Sequence, residues 1–505
     1  MGSKNGPMRV AMNGYNRLKW MILFTVIIGT FLGRLDQTIV SLAVPKIMDD
    51  FAITTSDAGW ISTAYILANA VFVPIWGKLG DTRGRKRVYL WGFGIFIFGS
   101  ILAGFAWDLG SMIVFRVIQA IASSADYPTA MAILTITFSD RKERGKALGI
   151  WSSAFAASAV FGPLIGGPLI DNFGWRSVFL INLPIGIIGI LMAIAFIPES
   201  VSDHQSENFD WYGASSLGMA LALLVLGLDK GYDWGWTSLP ILFSFALSGV
   251  SFYIFYLIDS RHPEPVIDFR YLRIPSFAHT LGNNFVVFMC MMGVIFLIPV
   301  FDQTFLGYTA TETGLQFIPF ACFMIIGALY GSSFIGKVQT RYIIATSTAL
   351  AAFGIYLFTG LDPRSSTWDV IIPFSVMALG MGLGMAQRTV AITSLVPPEE
   401  IGSASAVLAL VRNIAGAFGI ALFTTILNNS IEDNVIDLSR YSSIYLHTPE
   451  VMKTVTGLIS LDAQILAYHT IFVVAAVILI GGSMLALFIE SKDEKRGEQK
   501  VIIEM

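Results

Sequence analysis

The sequence predicts an all-α, polytopic membrane protein, and three observations carry that prediction. Of its 505 residues 55% are apolar and 13% charged, about half the charge of an ordinary soluble domain. Apolar stretches long enough to cross a bilayer, which takes about 20 residues of helix, recur from one end of the chain to the other. The 32 Lys and Arg are also unevenly shared between alternate connections, the bias that orients membrane proteins. A net charge of −3 leaves no basic excess for nucleic acid, and Cys290 and Cys322 lie inside apolar runs, so neither a disulfide framework nor a thiolate metal site is indicated.

Residues 1–19 are polar and basic and read as a cytoplasmic N-terminal segment. The apolar run after them is too long for a signal-peptide core and no small-residue cleavage site follows, so it is retained as the first span, 20–43. Spans 59–77, 88–107, 111–137, 147–170 and 177–197 complete a six-helix bundle over 20–200. Two inserted spans, 211–228 and 238–258, occupy 201–260. A second bundle over 261–490 holds spans 276–300, 313–335, 342–360, 370–394, 404–427 and 468–490, and 491–505 is a tail. With both termini inside, 22 of the 32 basic residues are cytoplasmic, six are outside and four lie in spans (Arg34, Arg116, Arg388, Arg412). The longest connection, 428–467, comes out as an external loop. Short matches at an offset of 257 residues, Glu143-Arg-Gly-Lys-Ala147 with Glu400-Ile-Gly-Ser-Ala404, suggest that the two bundles are repeats.

Charge in hydrocarbon costs about 2.5–3.5 kcal/mol per group on insertion scales, so each ionisable residue inside a span is a functional candidate. With a rise of 1.5 Å per residue, Asp36 on span one and Arg116 on span four both fall about 8–10 Å below the outer ends of their helices. They share a level and can pair. Asp126, beside Tyr127 and Pro128, falls nearer the membrane middle and is a second candidate for a proton or a cation. Polar residues in apolar runs nominate Tyr65, Asn69, Gln119, Asn283, Asn284 and Gln387 as cavity-lining side chains. The 38 Phe and 19 Met suit bulky apolar or cationic compounds through cation–π and soft contacts, though in so apolar a chain most of them face lipid or packed helix.

The connection after span two reads Gly77-Lys-Leu-Gly-Asp81-Thr-Arg-Gly84-Arg85-Lys86-Arg87. Its glycines allow close approach, Asp81 can accept hydrogen bonds from a neighbouring helix N-terminus, and the cations suit the anionic inner surface. This stretch resembles the signature loop of the major facilitator superfamily, which implies two six-helix bundles and a conformational latch. Leu35-Asp36-Gln-Thr38-Ile-Val-Ser-Leu-Ala-Val-Pro45 resembles the span-one signature of the fourteen-span drug:proton antiporters. Gly162-Pro163-Leu-Ile-Gly166-Gly167 is similar to a motif of the superfamily's exporters, in which Pro bends the span and small residues admit a neighbour.

The resemblance implies a secondary transporter that exports lipophilic, cationic small compounds in exchange for protons, with Asp36, Arg116 and Asp126 in proton coupling. Export of a specific metabolite or siderophore, or import, is the alternative. No phosphate-binding loop of an ATP-driven pump is present, no cofactor is needed beyond the proton gradient, and membrane lipids are the surroundings. The resemblance places the chain in a bacterial cytoplasmic membrane, without an obligate protein partner.

Overall fold

The computed structural model describes residues 6–138, 140–199, 210–231, 234–262, 269–335, 337–396, 401–441 and 449–489. Within them the first bundle comprises α1 (Gly6–Phe51), α2 (Thr55–Arg83), α3 (Arg85–Gly104), α4 (Leu109–Ser123), α5 (Asp126–Thr137), α6 (Arg141–Phe173), α7 (Ser177–Leu180) and α8 (Asn182–Phe196). The inserted pair is α9 (Trp211–Lys230) and α10 (Leu239–Asp259). After the short α11 (Phe269–Leu272) come α12 (Pro275–Phe305), α13 (Ala310–Ser333), α14 (Thr340–Leu357), α15 (Thr367–Thr393), α16 (Ile401–Tyr441) and α17 (Pro449–Ala486). Ten helical stretches among the described residues are long and apolar enough to span a membrane, α7 and α8 counting as one, and the apolar part of α9 is shorter. Segments 59–77, 111–137 and 147–170 are also helical, without meeting both conditions.

The packing repeats between the halves. Helix α1 packs on α6 as α12 packs on α16, α2 on α4 as α13 on α15, α3 on α4 as α14 on α15, and α3 on α8 as α14 on α17. The halves meet reciprocally, through α2 against α16 and α13 against α6. Small residues set these distances. Gly327 of α13 lies so close to α15 that a Cβ would sit 2.5 Å from the Leu379 carbonyl oxygen, and Gly354 and Gly380 fit α14 to α15 in the same way.

Four expectations need correction. Span four is not one helix: Pro128 has no N–H to give the Ser124 carbonyl and its ring crowds that oxygen, so the chain breaks between α4 and α5. Span six shows only a one-residue turn at Ile181, three residues before Pro184, and α7 and α8 together remain the single expected span, Ser177–Phe196. The connection after span two is no loop: α2 and α3 meet at Gly84 alone, whose φ of +97° favours glycine. The connection 428–467 is largely helix, because α16 continues to Tyr441 and α17 starts at Pro449; the 41 residues of α16 span about 60 Å, twice the hydrocarbon thickness. At the other end of the chain, α1 already begins at Gly6, inside the segment 1–19 read as a polar cytoplasmic segment before the first span.

Candidate functional site in the membrane interior

Asp36 is fully enclosed, at 0% exposure. Its Oδ2 accepts a hydrogen bond from Arg116 Nη1 at 2.6 Å. Its Oδ1 accepts from Gln119 Nε2 and from Asn182 Nδ2, both at 2.9 Å. Arg116 Nη1 also donates to Gln119 Oε1 at 2.6 Å, which orients the amide so that its NH2 faces the carboxylate. Asn182 stands buried at the start of α8, where its Nδ2 also donates to Ser100 Oγ at 2.8 Å. The Arg116 guanidinium lies 4.0 Å from the centre of the Tyr65 ring and 5.6 Å from that of Phe179. Two aromatic faces and a carboxylate thus hold a cation that hydrocarbon would otherwise exclude.

Asp36, Arg116, Gln119 and Tyr65, separate in sequence, therefore form one cluster. Asn69 stands behind it: its Nδ2 and the Tyr65 hydroxyl both donate to Ser123 Oγ, at 3.0 and 2.7 Å. Asp126 lies apart, against α1, where Thr30 hydrogen-bonds its carboxyl and its Oδ1 has no hydrogen-bond partner in the protein. A Cβ on Gly29 would come within 3.2 Å of that oxygen. Arg34, two residues before Asp36, turns to Gln37, donating through Nη1 at 2.8 Å.

A second polar group occupies the other half. Arg388, 1% exposed, donates through Nε to Asn283 Oδ1 at 2.7 Å and through Nη2 to Thr348 Oγ1 at 3.1 Å. Arg412 Nε donates to Asn284 Oδ1 at 3.3 Å, and its guanidinium stands 4.9 Å from the centre of the Phe288 ring. The adjacent asparagines thus each hold an arginine from a flanking helix. Gln387 is buried, and its Nε2 donates to the Gly331 carbonyl at 2.9 Å, binding α15 to α13.

The exporter-like motif joins the halves. Gly162 lies against Thr38 and Gly166 against Ile39 of α1. A Cβ on Gly167 would stand 2.5 Å from Thr311 Cα and 2.7 Å from the Ala310 carbonyl oxygen of α13, and one on Gly314 2.5 Å from the Pro163 carbonyl oxygen. At the expected latch, the side chains of Gly77 and Asp81 lie outside the described residues. Gly84, Arg85 and Lys86 form the α2–α3 turn, where Glu199 Oε1 accepts the Lys86 N–H at 3.2 Å and Lys86 Nζ donates to the Ile194 carbonyl at 2.8 Å.

The residues missed by sequence reasoning are Asn182 and Asp302. Asn182 is a neutral amide, which signals nothing about a carboxylate 146 positions away. Asp302, enclosed near the end of α12 with neither carboxyl oxygen hydrogen-bonded, could have been found as an acid in an apolar run.

Comparison with known proteins agrees with this architecture. Residues 26–420 match the Major Facilitator Superfamily model. The chain is 32% identical over 425 residues to the multidrug transporter protein MdtP of Bacillus subtilis, covering 83% of this chain and 77% of the relative. It is 29% identical over 483 residues to the riboflavin transporter RibZ of Clostridioides difficile, covering 94% and 99%. In fold it is similar to a bacterial homologue of the human lysosomal transporter Spinster in an inward-facing, occupied conformation, with a TM-score of 0.66, 15% identity and 97% of each chain covered. With its family match spanning most of the sequence and its two packed half-bundles, this chain is a multi-pass membrane transporter of the Major Facilitator Superfamily.

Proposed function

We propose that the protein is a proton-coupled exporter of lipophilic small compounds, with fourteen crossings and both termini on the cytoplasmic side of a bacterial cytoplasmic membrane. The observation that carries this reading is the enclosed Asp36 carboxylate, shared between spans one, four and six and paired with Arg116 at 2.6 Å. Protonating Asp36 leaves Arg116 buried without its counter-charge, a loss on the order of 3–5 kcal/mol for a broken buried pair. Proton loading is therefore tied to a rearrangement of α1, α4 and α8 that gives Arg116 another environment. That is the requirement for exchange: the conformation that accepts the proton differs from the one that releases it.

In this orientation the end holding Asp171, Gly167 and Gln303 is the outer one, and there the halves are closed on each other. Gln303 Nε2 of α12 donates to the Leu42 carbonyl of α1 at 3.0 Å, beside the α6–α13 contact. Likeness to a multidrug transporter supports a broad substrate range. Likeness to a riboflavin transporter, over nearly the whole length of both chains, favours a second reading in which one metabolite is moved.

Reconstituted protein in proteoliposomes tests the proposal. An imposed pH gradient is expected to drive uphill movement of a fluorescent lipophilic dye, and collapse of the gradient by a protonophore to stop it. Transport unaffected by the gradient would end the proton-coupled reading.

A further inference from the structure

The interior charges of the second half are not balanced. Arg388 and Arg412 both lie within spans, near enough to repel one another, and among the described residues no carboxylate lies within ion-pairing distance of either. Their partners are neutral: Asn283 and Thr348 for Arg388, Asn284 for Arg412. A buried cation without a counter-charge is costly, and Arg116 in the first half shows how this protein compensates one when compensation is the purpose.

The two arginines differ in a telling way. Arg388 is enclosed and makes two side-chain hydrogen bonds, at 2.7 and 3.1 Å. Arg412 makes one hydrogen bond, at 3.3 Å, while its Nη2 and the Nδ2 of the fully buried Asn284 both lack a protein acceptor. Both groups are donors and one is charged, so the complement they lack is an acceptor oxygen with negative charge. Phe288 provides an aromatic face beside Arg412. From the opposite half the phenol of Tyr127, 39% exposed, comes close enough to interact with Arg412 electrostatically, and Trp151 lies 5.4 Å behind it. On that wall Asp126 has Arg34 as an electrostatic partner of its own.

We infer that Arg412 and Asn284 form the anion-binding site of the transport pathway. The exported compound carries a carboxylate, phenolate or sulfonate on an aromatic, lipophilic frame. This inference rests on the transport reading above and replaces the cation expected from sequence, because a cation would approach two like charges with no carboxylate between them.

Equilibrium binding to the full-length protein in nanodiscs, read by fluorescence polarisation without a pH gradient, tests the inference. Fluorescein and rhodamine 123 share a tricyclic frame and differ in charge. Fluorescein is expected to bind and rhodamine 123 to compete poorly. Arg412→Gln should weaken fluorescein binding by about tenfold or more, and Arg412→Lys by less. Asn284→Asp, which sets a resident carboxylate beside Arg412 without a change of shape, should abolish it while thermal unfolding does not fall below the wild-type temperature, because the buried cation gains a counter-charge. Replacing chloride by gluconate separates the organic anion from an inorganic one: unchanged fluorescein affinity supports the substrate site, and a site filled by chloride to the exclusion of the dye overturns it. Preference for rhodamine 123, no fluorescein binding to the wild type, or wild-type affinity in folded Arg412→Gln also overturns it. Retained binding with no gradient-driven transport would instead remove proton exchange and leave the anion site standing.

Discussion

Asp171, near the end of α6, caps the first turn of α13 in the opposite half: its Oδ2 accepts the Thr311 N–H at 2.8 Å, and its Oδ1 accepts the Ala310 N–H at 3.1 Å. The Thr311 hydroxyl donates to the same carboxylate. A fixed negative charge at a helix N-terminus is stabilising, and here it joins two bundles that the proposed exchange has to separate. Asp171→Asn should therefore favour the state open at this end, by about 1 kcal/mol once solvent exposure is allowed for. Distances between spin labels at Phe173 and Leu315 should gain a longer component. An unchanged distribution would make Asp171 a local cap only.

Asp36→Asn should abolish gradient-driven transport and also lower thermal stability, because Arg116 is left without its anion. The double variant Asp36→Asn, Arg116→Gln should recover the stability and not the transport. If the double variant transports with wild-type dependence on pH, Asp36 is a structural acid, and Asp126 takes its place as the coupling candidate.

Glycine substitutions should divide according to what a Cβ meets. At Gly167 it meets the α13 backbone, which cannot swing aside, so Gly167→Ala should cost about 1–3 kcal/mol of the closed arrangement and slow transport. At Gly33 nothing lies within 4 Å of the added atom, and Gly33→Ala should transport normally. Equal activity of the two variants would contradict the close α6–α13 contact.

The proposed orientation puts the far end of α16 outside the cell. A single cysteine at Ser439, exposed on that helix, should react with an impermeant maleimide on intact cells. Reaction only after permeabilisation would invert the topology.

Much of the polar cluster was legible because charge in hydrocarbon is conspicuous and helical rise converts residue number into depth; that arithmetic put Asp36 and Arg116 at one level, where they pair. Asn182 was not legible, because its role depends on the way α8 packs against α1. Helix extents failed for a different reason. Hydropathy reports only the part of a helix that lipid surrounds, so the polar continuation of α16 past residue 427 read as loop. Asn283 and Gln387, alike as polar residues in apolar runs, differ in their partners, which sequence does not show: one holds an arginine, the other a backbone carbonyl.

The unbroken course of α16 makes it a pointer. From Arg412 to Ser439 the helix continues without interruption, so the two ends lie about 40 Å apart on one stiff rod. A tilt of about 10° at the interior end would carry the tip several ångströms through water, a displacement far larger than any at the binding residues themselves. A dye on the tip would then register each turnover from outside the membrane, without any probe entering the path the substrate takes.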